Sequence, residues 1–316
     1  MPPAAVRPAW PCFAGIAVGA GGHGQQASGV RMRTTTVQID AMKLAATLAG
    51  DDRLPPLLLL HGWPHCRHLY DPVIDALGGH AFAMAIDLPE VGESRGPPPS
   101  SDKATLADVA IAAAERLGGS RPVVAGIDVG GMIAYAAARY HGDRIAGAMV
   151  MNTAVPGLDP WDEVVANPAI WHFAFHRVPS LPEALVAGRQ RAYFDYFIDA
   201  LSRDRQAVGN DMRQRFAEAY QRPEALRAGF EWYRAMPEDA ERNRECVPFD
   251  TALAYVRGDA DPADLQEYLA GLRAGGAVNP AGSLIPRSGE LLPLENPSAF
   301  VATVLAFMRR ANASGH

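Results

Sequence analysis

In Val123-Val124-Ala125-Gly126-Ile127-Asp128-Val129-Gly130-Gly131, an apolar run enters Gly-x-Asp-x-Gly-Gly, and helical spacing follows over Met132 to Tyr140. Strand, sharp turn and helix in that order form the context of a nucleophile elbow. Small residues at Gly126 and Gly130 let the chain pass close to itself and lift the Asp128 side chain clear of the sheet. The residue type at the tip sets the chemistry. A serine there signals acyl transfer, whereas a carboxylate attacks sp³ carbon and forms an alkyl ester of the enzyme. Asp128 therefore points to epoxides or alkyl halides rather than ordinary esters. The plainer reading of the same residues is a strand followed by a glycine-rich turn with an exposed Asp.

Outward from this turn, strands and helices alternate. Thr36 to Asp40 and Lys43 to Leu48 alternate in polarity and predict a hairpin. Leu57 to Leu60, between Pro55-Pro56 and His61-Gly62, reads as a buried parallel strand, as does Ala83 to Ile86. A helix is predicted over Thr105 to Leu117, strands over Ile145 to Met151, Ala252 to Val256 and Ser283 to Ile285, and a helix after Asp261. An amphipathic helix over Phe300 to Arg310 closes the chain. The fold class is α/β, with a mostly parallel, doubly wound sheet covered on both faces.

Residues 155–247 interrupt the alternation with helical, aromatic and charged sequence lying between two sheet strands. They predict an inserted helical cap over the strand C-terminal ends, where α/β sites lie. Most of the cap's aromatic residues are expected to form its own core. The core is then 34–154 and 248–316. Residues 1–33, rich in Gly, Ala and Pro, read as a disordered tail or as sequence preceding a working start at Met32, with a weak likeness to a signal peptide over Ala9 to Val18.

The 316 residues are 48% apolar and 20% charged, enough for a core domain and an insertion. A net charge of −6 without a Lys/Arg run disfavours nucleic acid as a partner. Cys12, Cys66 and Cys246 are too few and odd in number for a disulfide framework, which fits a cytoplasmic location. No apolar stretch approaches the ~18 residues of a membrane span. A small-molecule substrate is expected, no cofactor or metal is called for, and the sequence leaves a homodimer open. The glycines of Gly19 to Gly24 lack the strand and helix of a nucleotide fingerprint.

Four segments belong together: His61-Gly62-Trp63-Pro64, Asp87-Leu88-Pro89-Glu90-Val91-Gly92-Glu93-Ser94, the Asp128 turn, and Gly258-Asp259-Ala260-Asp261. With them the chain resembles the α/β-hydrolase superfamily, and within it the epoxide hydrolase and haloalkane or haloacetate dehalogenase branch, over roughly residues 34–312. The runs Asn167 to His176 and Arg227 to Ala235 resemble the cap of that branch. The resemblance implies that Asp128 is the nucleophile and that the backbone N–H groups of Trp63 and Val129 form the oxyanion hole, with Pro64 fixing the loop. It implies that Tyr233 binds an epoxide oxygen or a carboxylate, that Trp171 and His172 line the leaving-group pocket, and that Asp261, or failing it Asp259, orients the catalytic histidine.

The departures carry as much information. Ile127 and Val129 replace the two ring residues that usually flank the family's Asp, so Ile127 is expected at the substrate pocket, and Glu90 stands where Gly is usual. Most important, the family's general base is a His in a Gly-His-Trp run before the last helix. This chain reads Ser288-Gly289-Glu290-Leu291-Leu292 there, and Gly282 to Pro297 contains no His. A carboxylate is a weaker base than imidazole by roughly two pK units. Asp128, Glu290 and Asp261 under a cap could carry three negative charges, so at least one pKa is expected to rise. A protonated carboxyl beside an ionised one is an acid/base pair. Three functions follow: a hydrolase with Glu290 or another residue as base; a cyclase, lyase or isomerase using Asp128 and Glu290 for proton transfer; or an inactive binding protein. Of the other histidines, His65 is placed near the pocket mouth, His176 in the cap and His141 at a helix end.

Overall fold

The computed structural model describes residues 32–260 and 262–313. The expected tail, as far as residue 31, and Asp261 lie outside the described residues.

Eight strands form one sheet: β1 (Arg33–Ile39), β2 (Met42–Ala49), β3 (Pro56–Leu60), β4 (Phe82–Ile86), β5 (Val123–Ile127), β6 (Gly147–Met151), β7 (Leu253–Gly258) and β8 (Ala281–Ile285). Their order is β1-β2-β4-β3-β5-β6-β7-β8. β1 and β2 are the predicted hairpin, Arg33 opposite Leu48, and β2 runs antiparallel to β4. From β4 to β8 every pairing is parallel. β3, β4, β5 and β6 are buried almost throughout, because helices cover both faces and no solvent side remains to call for alternation. The crossover helices are α1 (Asp71–Gly78), α2 (Lys103–Arg116) and α3 (Val129–Tyr140). Asp102 caps α2, its carboxylate accepting from the Thr105 N–H at 3.0 Å.

Between β6 and β7 the chain adds helices only: α4 (Trp161–Ala166), α5 (Trp171–Arg177), α6 (Leu181–Val186), α7 (Gln190–Leu201), α8 (Asn210–Ala219) and α9 (Pro223–Asn243), with short 3-10 turns. After β7 come α10 (Leu265–Ala274), α11 (Leu292–Glu295) and α12 (Pro297–Ala313). The predicted terminal helix over Phe300 to Arg310 is therefore longer at both ends.

Buried charges fasten the insertion to the sheet layer. The Lys103 ammonium donates to the Trp232 carbonyl and to the Asp239 carboxylate, both at 2.8 Å, so α2 grips the middle of α9. Arg139 on α3 donates to the Gly275 carbonyl at 2.9 Å and to carbonyls at the end of α9, among them Arg242 at 3.2 Å. Lys103 is buried with its carboxylate partner, the condition under which a buried charge is tolerated, whereas the buried Arg139 is held chiefly by carbonyls. Those two clamps tie α9 to the first turn of α2 and to the last turn of α3.

Candidate active site

Asp128 occupies the tip of the β5–α3 turn at φ 55°, ψ −124°, a conformation that side chains other than glycine rarely adopt. The neighbouring residue choices follow from this turn. A Cβ on Gly126 would overlap the Gly130 carbonyl, and one on Gly130 would overlap the Leu60 carbonyl of β3. The chain can bend this tightly only with hydrogen at both positions.

The turn aims the carboxyl at the loop after β3. The Trp63 N–H donates to Asp128 Oδ1 at 2.7 Å, and the Val129 N–H also stabilises the ionised carboxyl. Gly62 is required beside them, since a Cβ there would overlap that same carboxyl oxygen. The Trp63 loop is fixed from below by His61. Its Nε2 accepts from the Leu88 N–H at 3.0 Å, which leaves Nδ1–H to donate to the Gly62 carbonyl at 2.9 Å. One buried neutral imidazole thus ties the loops after β3 and β4 together. Asp87, ion-paired with buried Arg67, accepts from the Arg67 and Glu93 N–H groups and shapes the β4 loop. Glu90 sits in that loop at φ 67°, the left-handed region that makes glycine the ordinary choice, and Arg222 holds its carboxylate.

Asp128, Glu290 and Tyr233 line one cavity of about 30 Å³, more than the roughly 10–15 Å³ that a single water molecule requires. Trp63, Pro64 and His65 supply one side, Phe197, Ile198 and Leu201 of α7 another, and His172 of α5 a third. Glu290 arrives on the loop after β8. The Asn152 side chain, at the end of β6, donates Nδ2–H to the Gly289 and Glu290 carbonyls at 3.0 and 2.8 Å and accepts the Gly258 N–H at 3.1 Å. The Glu290 N–H donates to the Leu201 carbonyl of α7 at 3.0 Å. Glu295 adds a second tie, accepting from Leu291 N–H at 3.0 Å and Arg203 N–H at 2.7 Å. Asn152 and Glu295 were not singled out from the sequence. The available signal for Asn152 was a polar residue at the C-terminal end of a buried strand.

The electrostatics are dominated by desolvation. Burial pushes the Asp128 carboxyl up to about 6, against the pull of the Val129 and Trp63 N–H groups and the Lys103 charge. Burial first, then the negative charge of Asp128, pushes Glu290 well above the ordinary carboxyl range, while Arg257 draws it down. Burial likewise raises the Tyr233 hydroxyl, with the Asp128 and Glu290 charges adding to it. His65 is pushed down to about 3 and His172 to about 4, so both rings are neutral. His176 is buried against Trp63 and Tyr233 with Nε2 2.8 Å from the Tyr193 hydroxyl. His141 caps the C-terminal end of α3.

The remaining expected residues lie elsewhere. Trp171 is 40% exposed, packs on Tyr196 and Phe197, and does not line the cavity. It precedes His172 by one position, about 100° around α5, so the two rings face different ways. Ile127 is fully buried in the core and is not a cavity residue. Asp259 accepts from Arg203 at 2.9 Å and from the Ser288 N–H at 3.3 Å, bracing the β7 and β8 loops. Among the described residues, no cluster of His, Cys, Asp or Glu is arranged to hold a metal ion, and no helix is long and apolar enough to cross a membrane.

The family model of the alpha/beta hydrolase fold matches residues 55–232, more than half of the chain, and the chain belongs to that family. It is 28% identical over 267 residues to a soluble epoxide hydrolase of Corynebacterium sp. (strain C12), which spans 80% of this chain and 89% of the relative. It is 29% identical over 150 residues to a fluoroacetate dehalogenase of Burkholderia sp., 45% of this chain and 49% of that one. Among solved structures, Cfl2 from Burkholderia cenocepacia superposes with a TM-score of 0.78 at 26% identity, covering 88% of this chain and 96% of its own.

Proposed function

We propose that the chain is a hydrolase that opens epoxides through an ester on Asp128, with Glu290 acting as acid in the first step and base in the second. The observation that carries this reading is the meeting of Asp128, Glu290 and Tyr233 at one cavity, with one Asp128 oxygen already held by the Trp63 amide. The Corynebacterium relative, an epoxide hydrolase matched over most of both chains, supports the substrate class.

In the first step an ionised Asp128 oxygen attacks an oxirane carbon, and the carbon–oxygen bond of the ring breaks. The departing oxygen takes the Glu290 proton while the Tyr233 hydroxyl donates a hydrogen bond to it. Asp128 is now a neutral ester and Glu290 is ionised. The charge that had held the Glu290 proton has gone. In the second step Glu290 takes a proton from water, and the hydroxide attacks the ester carbonyl carbon. The Trp63 and Val129 N–H groups stabilise the oxyanion. Collapse expels the diol oxygen, which takes the proton of the re-formed Asp128 carboxyl. Glu290 ends protonated and Asp128 ionised, as they began. An ordinary carboxylate would be a poor base for this, but burial raises its basicity toward that of imidazole. His65 and His172, both depressed, are weaker bases than an ordinary histidine. In this reading the helices between β6 and β7 act as the cap, supplying Tyr233 and His172.

A second reading, isomerisation or elimination by proton transfer, draws on the same Asp128/Glu290 pair and involves no ester. A single turnover of a small epoxide in water enriched in heavy oxygen separates the two. The hydrolase should place the label in the Asp128 carboxyl and release a first diol without it. Label in the first diol would mean direct attack by water. An isomerised product without label would support proton transfer, and no product would leave a binding protein.

A further inference from the structure

A cavity of about 30 Å³ admits the reacting atoms of a substrate and little else. A second cavity has a volume of about 250 Å³. An apolar cavity of about 150 Å³ suffices for benzene, so the second one has room for a longer arm.

The two cavities share helices. Tyr233 faces the first, while Met236, Pro237 and Ala240, three, four and seven residues further along the same face of α9, line the second. On α5, His172 lines the first, and Phe173 and Arg177, four residues apart, line the second. The wall between them is the Phe173 ring, edge-on to Tyr233 with centroids 5.3 Å apart and to His172 at 4.8 Å, with Trp161 on its far side at 5.9 Å. The second cavity is thus apolar next to the wall, and its charged lining is two arginines, Arg177 and Arg244, against one carboxylate, Asp162. Arg244 there is paired with exposed Asp162 at 3.2 Å, while the exposed guanidinium of Arg177 has neither an ion pair nor a hydrogen bond among the described residues. From Tyr233 to Ala240 the rise along α9 is about 10 Å.

We propose that the second cavity is the subsite for the non-reacting arm of the substrate, an apolar chain about 10 Å long ending in an anionic group at Arg177, with Phe173 as the door between arm and oxirane. The oxirane end of this assignment rests on the reading above; the arm does not. An apolar chain gains from leaving water beside Trp161 and Met236, and a carboxylate at its end meets the unpaired guanidinium.

Calorimetric titration with decanoate and with decanol tests the arm on the intact protein, independently of any chemistry at Asp128. Decanoate should bind, and Arg177→Glu, a change at an exposed side chain, should weaken it by roughly tenfold while decanol binding stays put. No decanoate binding, or equal binding by parent and Arg177→Glu, would overturn the subsite. The door is read separately, as the rate of Asp128 ester formation with decene oxide relative to butene oxide. Phe173→Ala should raise that ratio, and an unchanged ratio would overturn the door. If neither epoxide reacts while decanoate still binds through Arg177, the epoxide reading fails and the subsite stands.

Discussion

Glu290 faces Asp128 across a single cavity, and the charge of Asp128 helps keep the Glu290 carboxyl protonated. The relationship is directional. Asp128, pushed up to about 6 by burial, ionises first, and Glu290 holds its proton to higher pH. In the proposed reaction the ionised member of the pair would be the nucleophile and the protonated one the acid, without a charged histidine.

That order of ionisation sets the pH dependence of turnover. Activity should rise through about pH 6 as Asp128 ionises. It should fall again at a pH well above the ordinary glutamate range, as Glu290 loses the proton needed to open the ring. The kcat/KM profile of the parent should be bell-shaped, and Glu290→Gln should keep the acid-side limb of its residual activity and lose the alkaline one. A profile flat from pH 5 to 9 would contradict the ordering.

Burying these carboxyls should cost stability at neutral pH. The folded pKa of Asp128 lies above its unfolded value, so the folded state binds more protons between the ordinary value of 3.8 and about 6. Stability is then lost as pH rises through that window and stays low above it. Asp128→Asn removes the effect. It should be more stable than the parent at pH 7.5, by about 1–3 kcal/mol, and indistinguishable near pH 4. Urea unfolding at the two pH values checks this.

Asn152 positions Glu290 without touching substrate. Its amide donates to two carbonyls of the Glu290 loop and accepts from β7. Asn152→Ala should cost about 2–4 kcal/mol in stability, since it leaves buried backbone groups unpaired. Asn152→Asp should fail to rescue it, because a carboxylate cannot donate to those carbonyls. A structural loss alone would leave the alkaline limb of the pH profile where it was; displacement of Glu290 should shift it.

Much of this was legible in the sequence because it rests on short-range constraints. The Gly126, Asp128 and Gly130 spacing suits a tight strand-to-helix turn, and the apolar run of Leu57 to Leu60, bounded by prolines and by His61-Gly62, reads as a strand buried on both faces. Glu290 stood out as a departure from the resemblance, and Glu90 likewise, its positive φ explaining why glycine is usual there. Trp171 was less legible. Adjacent helical residues diverge by about 100°, so placing Trp171 and His172 in one pocket needed the rotational phase of α5, which packing against α9 fixes. Asn152 was missed because its three partners come from the end of β7 and the loop after β8, over 100 residues away. The second cavity is similarly a product of how α4, α5 and α9 pack, and no local pattern announces it.

In the proposed reaction Asp128 forms an ester and Glu290 activates the water that clears it. Intact-protein mass measurement of Glu290→Gln during incubation with a small epoxide tests this most directly. The variant, with only the Tyr233 hydroxyl left to assist ring opening, should gain the mass of one epoxide on Asp128 more slowly than the parent forms its ester, but keep it once formed, with turnover lower than the parent's by about 10²–10⁴-fold, while Asp128→Asn gains nothing. If Glu290→Gln accumulates no adduct and turns over as the parent does, Glu290 is not the base and the account is wrong.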